Sequence, residues 1–269
     1  GLILPQNISS NTFDSGNTFI MLMLQTGQDI YNEDLYTTDY NSIKTSDIKN
    51  LNLTNFMTQD SIRVFEQWTK FYTVFSFDQT FDAFSRFRTG EMPLVVQPYT
   101  FYNQLSVAAP EIKGLWDFTM VPGTKQADGT INHAANSAGS GAVIFNKVSN
   151  QAAAWDFVKW FTSTDIQVDY GKQIEALMGP MGRFDTANVE ALEQLPWSTA
   201  EYEKISSQQS YLKEVPIIPA SYAVTRHINN AFRMVVNDAG NPRYTLMSYN
   251  DQIKSEIVRK YQELSSVKK

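Results

Sequence analysis

Residues 60–75, DSIRVFEQWTKFYTVF, place Ile62, Phe65, Trp68, Phe71 and Tyr72 on one side of a helix. The spacing follows the helical period, so the segment reads as an amphipathic helix with Asp60 as its cap. A face that rich in rings must be covered by another layer of structure. The chain offers mostly helices for the purpose. FIMLML (19–24) reads as a short buried helix closed by Gly27, and FDAFSRFRTGEM (81–92) as a helix ended by Gly90. DTANVEALEQL (185–195) is expected to be a helix capped by Asp185. Residues 202–214 read as helical, and 221–238 and 249–265 as two closing helices. Strand-like runs are short and scattered. They are MPLVVQP (92–98) between two prolines, LWDFTMVPGT (115–124) before a Pro-Gly turn, and the end of SAGSGAVIF (137–145); VPIIPASY (215–222) is extended because of its prolines. The fold class is therefore α/β or α+β, helix-rich, with no long series of strand–helix–strand units.

The stretch AAAWDFVKWFTSTDIQ (152–167) repeats the helical logic with Ala154, Phe157, Val158 and Phe161, and Ser149 or Asn150 is the expected cap. A break at 162–164 precedes a second helix expected from Asp165 to about Gly171. Trp155 and Trp160 lie about 500° apart around the helix axis and face different ways. They make no common binding platform, and packing is the expected role.

Composition narrows the function classes. The chain has 269 residues, 42% hydrophobic and 13% aromatic, with a net charge of −6. That balance fits a globular fold and disfavours binding to nucleic acid, which calls for a basic face. High aromatic content on an acidic chain is common among carbohydrate binders, where rings stack on sugar faces. The absence of cysteine removes disulfides, thiolate-zinc sites and thiol catalysis. The longest apolar run is far shorter than the roughly 20 residues of a membrane span. The chain starts at Gly1, and any export signal is expected to have been removed.

Catalytic and metal signatures are weak. His133 and His227 have no partners at metal-ligand spacing and read as packing or surface residues; no metal and no cofactor is expected. SAGSGA (137–142) matches no phosphate-binding or nucleophile motif, and its expected role is a turn. The carboxylates Asp29, Glu33, Asp34, Asp39, Asp78, Asp82 and Glu91 read as charged loop residues, although a glycoside hydrolase or lyase would need two of them opposed. Trp116 and Trp197 read as packing residues.

The order of segments carries more information than any one of them. FRTGEMPLVVQPYTFYNQL, GLWDFTMVPGT, SAGSGAVIF, AAAWDFVKWFTS, QVDYGKQ and GPMGRFDTANVEAL follow one another from 87 to 192, and PIIPASYAVTRHINNAF and LMSYNDQIKSEIVRKYQEL close the chain. This succession resembles the extracellular solute-binding proteins of ABC importers, specifically the sugar-binding family that includes maltose-binding protein. The resemblance covers the chain from about residue 13.

It implies a type II periplasmic-binding-protein-like α/β fold, helix-rich and without the N-terminal part of the first lobe. Residues 1–118 would form the first part of the second lobe, 119–183 a segment returning to the first lobe, and 184–269 the closing helices of the second. In this reading the helix at 152–163 is structural and its rings pack. The implied function is non-enzymatic. A carbohydrate, an oligosaccharide or sugar derivative, is bound between lobes and handed to ABC permease subunits, on an extracellular or periplasmic lipoprotein anchored through the missing N-terminus. The ligand residues so implied are Tyr99, after MPLVVQP, with Phe101 or Tyr102 beside it. Tyr222 is a second stacking ring, Thr18 and Phe19 lie in a region that places an aromatic in the cleft, Ser137 and Ser140 offer hydroxyls, and Arg183 and Arg226 donate hydrogen bonds or bind a uronate carboxylate. A glycoside hydrolase or lyase is the alternative, and a scaffold or interaction module a third possibility.

Overall fold

The computed structural model describes residues 2–3, 15–137 and 141–267. In chain order the elements are β1 (Leu2–Ile3), α1 (Ser15–Leu24), α2 (Asp34–Thr37), α3 (Gln59–Thr73), α4 (Ala83–Arg88), β2 (Leu94–Val95), α5 (Thr100–Ala108), β3 (Thr124–Lys125), β4 (Ile131–Asn132) and β5 (Ala135–Asn136). Then come α6 (Gln151–Phe161), α7 (Thr164–Met178), α8 (Val189–Gln194), α9 (Thr199–Gln209), β6 (Leu212–Lys213), α10 (Ser221–Val236) and α11 (Pro242–Val267). The strands form three separate pairs: β1 with β2 and β5 with β6 in parallel, and β3 with β4 antiparallel, in the register Thr124↔Asn132.

The chain divides into two compact units. The first holds residues 1–96, 121–136 and 211–269; the second holds 97–120 and 137–210. The expected segment boundaries were 118 and 183, so the divisions differ. Residues 121–136 join the first unit because Gln25, 1% exposed at the end of α1, holds them. Its side-chain amide donates to the carbonyls of Pro122 (2.9 Å) and Ala134 (3.2 Å) and accepts from the Thr124 hydroxyl (2.9 Å). Residues 184–210 stay with the second unit because they pack onto α5 and α7 around Arg183, described below.

The core of the first unit is aromatic. The Trp68 indole stacks on Phe19 (5.8 Å between centroids) and on Phe232 (4.3 Å), while Phe65 meets Phe19 edge-on at 5.4 Å. Ile62, Phe65, Trp68 and Tyr72 are all buried, as the period of α3 requires. The helix is capped by Thr58, whose hydroxyl accepts from the Ser61 N–H, and not by Asp60, which pairs with Arg63 instead. α10 and α11 complete the layer with Val224, Ile228, Phe232, Leu246, Ile253 and Ile257. Thr18 and Phe19, expected near a ligand, are 1% and 0% exposed inside this unit. α1 turns both inward, because burying the Phe19 ring against Phe65 and Trp68 of α3 removes apolar surface from water and adds ring contacts.

The second unit has a smaller core of Leu192, Leu195 and Ile205. α8 is capped by Asn188, whose side chain accepts from the Ala191 N–H, where Asp185 had been expected. α7 continues past Gly171 to Met178; that glycine serves close packing within the helix, since a Cβ there would sit 2.5 Å from Leu195 Cδ2 at the end of α8. α6 is capped by Asn150 as expected. It does not pack as expected: Trp155, Phe157 and Trp160 are 56%, 60% and 52% exposed. Residues 141–145, where a strand was expected, take no regular secondary structure and belong to none of the three strand pairs.

Trp68→Ala should cost the first unit about 3–5 kcal/mol in urea unfolding followed by circular dichroism. Phe145→Ala, at an exposed position, should change stability by no more than about 0.5 kcal/mol.

Candidate functional site

The second unit contains a cavity of about 330 Å³ walled by Tyr102, Leu105, Trp116 and Phe118, with Arg183 and Glu201 in its lining and Lys113 and Asp117 beside them. Local structure sets each group in place. α5 carries Tyr102. Arg183 follows a tight turn at 179–182, where Gly182 passes so close to α7 that a Cβ would lie 2.5 Å from the Ile174 carbonyl oxygen. That approach brings the Arg183 guanidinium back onto α7. Glu201 is held by the capping box at the start of α9: one carboxylate oxygen accepts from the Ser198 N–H (2.9 Å) and hydroxyl (2.8 Å).

Arg183 is the centre of the arrangement. Its Nε and Nη2 both donate to Glu175 Oε1, at 3.2 and 3.0 Å, and its Nη1 donates to the Tyr102 hydroxyl at 2.7 Å. That hydroxyl donates in turn to Glu201 Oε1 at 2.5 Å, and the Arg183 guanidinium lies 4.7 Å from the centroid of Trp197. The loop bearing Arg183 is also tied down from α5, since Asn103 donates to its carbonyl at 3.0 Å. Around the Tyr102 ring, Tyr99 stacks at 5.6 Å, and Trp116 and Phe118 approach edge-on at 5.4 and 5.6 Å.

Ionisation follows from these contacts. Burial, reinforced by the bond to Glu201, pushes the Tyr102 phenol up to about 12, so it stays a donor. Burial also drives the Tyr99 phenol far above its ordinary range, with Tyr102 adding to the effect. For Glu201 burial works upward, but the hydrogen bonds from Tyr102 and Ser198 and the charge of Arg183 outweigh it and leave the carboxyl below its usual value. Asp117 at the rim is lowered by Lys204, 2.5 Å away. Each charge of the Arg183 cluster meets its opposite. The cavity thus combines aromatic walls with fixed donors and acceptors, a lining suited to a hydroxylated ligand.

The residues singled out from sequence are distributed unevenly. Tyr102 and Arg183 meet directly. Tyr99 backs Tyr102, and its buried hydroxyl has no hydrogen-bond partner among the described residues. Phe101 is half-buried on α5, Ser137 is exposed, and Ser140 lies outside the described residues. Tyr222 and Arg226 sit on α10 in the first unit. There the exposed Tyr222 ring lies 5.6 Å from the Arg226 guanidinium, its hydroxyl accepts from Arg259 at 3.3 Å, and Glu256 neutralises Arg259 at 2.6 Å. Glu175, Glu201 and the pocket face of Trp116 were not foreseen. The pattern Ser198-x-x-Glu201 is that of a capping box, but that its second oxygen accepts the Tyr102 hydrogen bond depends on a contact 99 residues apart in sequence. His133 is a packing residue, bonded through Nδ1 to the Val121 carbonyl at 2.7 Å. No cluster of three potential metal ligands occurs among the described residues.

Arg183→Met strands Glu175 and Glu201 at largely enclosed positions and should destabilise the second unit by about 3 kcal/mol at neutral pH. The sign of its pH dependence follows from Glu201. A carboxyl whose folded pKa is depressed contributes stability above its unfolded pKa and loses it as pH falls through the folded value. The variant loses that contribution, so the gap between the two proteins should narrow on acidification below the ordinary carboxylate range, measured by chemical unfolding at a series of pH values.

Similar architecture is found in solved sugar-binding proteins. A solute-binding protein of an ABC transporter from Thermotoga lettingae TMO, bound with alpha-D-tagatose, superposes with a TM-score of 0.63 at 15% identity over 95% of this chain and 60% of that one. The sugar-binding protein MalE of Xanthomonas citri matches with a TM-score of 0.69 at 12% identity over 98% of this chain and 60% of its own. A substrate-binding protein of Listeria monocytogenes in complex with cycloalternan matches with 0.57 at 15% identity, over 94% of this chain and 58% of its own. The chain therefore spans about 60% of the length of these structures, and at such identities they establish the fold, periplasmic-binding-protein-like and helix-rich. No curated protein matches the chain. The family model for bacterial extracellular solute-binding proteins matches residues 8–168, more than half of the sequence, and the chain belongs to that family.

Proposed function

We propose that the chain is part of the binding component of an ABC importer for a carbohydrate, which it binds without turnover and delivers to the membrane permease. The observation that carries this reading is the cavity at Tyr102, Trp116 and Phe118, where rings stand beside the fixed chain of donors and acceptors from Arg183 through the Tyr102 hydroxyl to Glu201. Rings take the apolar face of a pyranose or furanose, and the polar groups take its hydroxyls. The reading agrees with the family, whose members are binding proteins, and with the sugar-binding proteins of the same fold.

In this proposal the second unit supplies Tyr99, Tyr102 and Arg183 to its own cavity, and Tyr222 and Arg226 are separate candidate contacts on the first unit. Arg183 is committed to Glu175 and Tyr102, so it works by fixing the Tyr102 hydroxyl, not by binding a ligand carboxylate. The protein works outside the cytoplasm, held at the membrane by a lipid anchor.

Titration of tryptophan fluorescence against a panel of mono- and oligosaccharides tests the proposal, since Trp116 and Trp197 border the site. A saturable change is expected for at least one sugar. Trp116→Ala should weaken it about tenfold, equivalent to about 1.4 kcal/mol, and Tyr99→Ala should weaken it in the same direction by removing the ring behind Tyr102. Absence of a saturable response to every sugar would reject the carbohydrate reading and leave the family assignment in place.

A further inference from the structure

Within the first unit α10 packs along α11, and His227 of α10 is enclosed there, 8% exposed, with its ring 6.0 Å from the Tyr249 ring of α11. Its two nitrogens have different surroundings. Nε2 faces Arg226, whose Nη2 donates toward it at 3.5 Å. A guanidinium only donates, so this contact requires a lone pair on Nε2 and places the ring proton on Nδ1. Nδ1 is buried and has no hydrogen-bond partner among the described residues. The neutral ring therefore fits with one N–H unpaired. A protonated ring would turn a second N–H onto a guanidinium, and neither of its N–H groups would meet an acceptor. Burying a charge in that condition is strongly unfavourable.

We propose that His227 is a proton-sensitive latch on the seam between α10 and α11, closed while the ring is neutral and loosened when acid protonates it. The neighbouring charges set the balance. Arg226, on α10, opposes a second positive charge, and Glu256, on α11, favours it. Glu256 is already engaged: its Oε2 accepts from Arg259 at 2.6 Å, and its Oε1 lies 3.8 Å from Arg226 Nη2. The other two helices packed on α10 leave this balance alone. α1 contains no charged residue, and none of the charged residues of α3, which are Asp60, Arg63, Glu66 and Lys70, acts on the ring. Burial, with the charge of Arg226, holds the imidazolium below the ordinary histidine range, and Glu256 offsets part of the effect. A histidine depressed in this way binds its proton more readily in the unfolded chain. Its contribution to stability is complete above the unfolded pKa of about 6.5 and is lost as pH falls from there through the folded value. Arg226 also lies 5.6 Å from the centroid of the exposed Tyr222 ring, so the latch reaches the surface of the first unit.

Nuclear magnetic resonance of the imidazole nitrogens tests the proposal. The chain holds two histidines, and the signals that persist in His133→Gln are those of His227. In the parent, His227 should be a neutral ring protonated at Nδ1, and should remain so at about pH 6.5, where an ordinary histidine is half protonated. Arg226→Gln, at a side chain 51% exposed, removes the opposing charge and should move the His227 titration to higher pH. The parent's urea midpoint should fall on acidification from about pH 8 to about pH 5.5. The fall should be smaller for His227→Phe, which keeps a ring in the seam but has no proton to bind. An ordinary titration of His227 in the parent overturns the proposal, as does a neutral ring protonated at Nε2; both readings need no variant of the seam. A titration that Arg226→Gln leaves in place, or an equal loss of stability in the parent and His227→Phe, also overturns it.

Discussion

The stack of Phe19, Trp68 and Phe232 is the contact on which the first unit depends. The three rings come from α1, α3 and α10, elements separated by as much as 213 residues. Because the strand pairs are only two residues long on each side, backbone ladders cannot organise the unit. Helix faces must do so, and the largest ring is at their meeting point. The buried Gln25 amide plays a complementary part. It satisfies polar backbone of the 121–136 segment inside the unit, where an unpaired carbonyl would be costly.

The second unit is organised by charge where the first is organised by rings. Arg183 joins α7 through Glu175, α5 through Tyr102 and the start of α9 through Glu201. The cluster sets one guanidinium against two carboxylates, and Arg183, Tyr102 and Glu201 are held rigidly by the bonds between them and by the two bonds from Arg183 to Glu175 Oε1. The Tyr102 hydroxyl both accepts and donates within it, so the ring that walls the cavity is fixed in orientation. Rigidity of this kind favours binding, since little side-chain freedom remains to be lost when a ligand arrives.

The contrast between α3 and α6 shows what periodicity can and cannot reveal. Both have apolar residues at helical spacing, and both are helices. In α3 the stripe is buried; in α6 it is not. The pattern says that a face requires cover, because that is a property of the side chains. It says nothing about whether the cover lies within the chain. The caps illustrate the same limit at short range. Asn150 was one of the two caps expected for α6, whereas Asp60 and Asp185 lost the capping position to Thr58 and Asn188, which stand two residues before and three after them along the chain. Several groups of nearly equal capping strength compete within one turn, and tertiary packing sets where the helix begins.

The sequence by itself determined the helix-rich α/β class, the principal helices, the aromatic segments after 92–98 and before 221–236, and the family, since each rests on local spacing or on the order of segments. Only the tertiary structure decided that Phe19 is core, that Trp116 faces a cavity, and that Arg183 is spent on Glu175 and Tyr102. Those outcomes turn on which side chains meet across long stretches of chain, and a residue's type states what it can bond to but not which of several equivalent partners the packing will bring within reach.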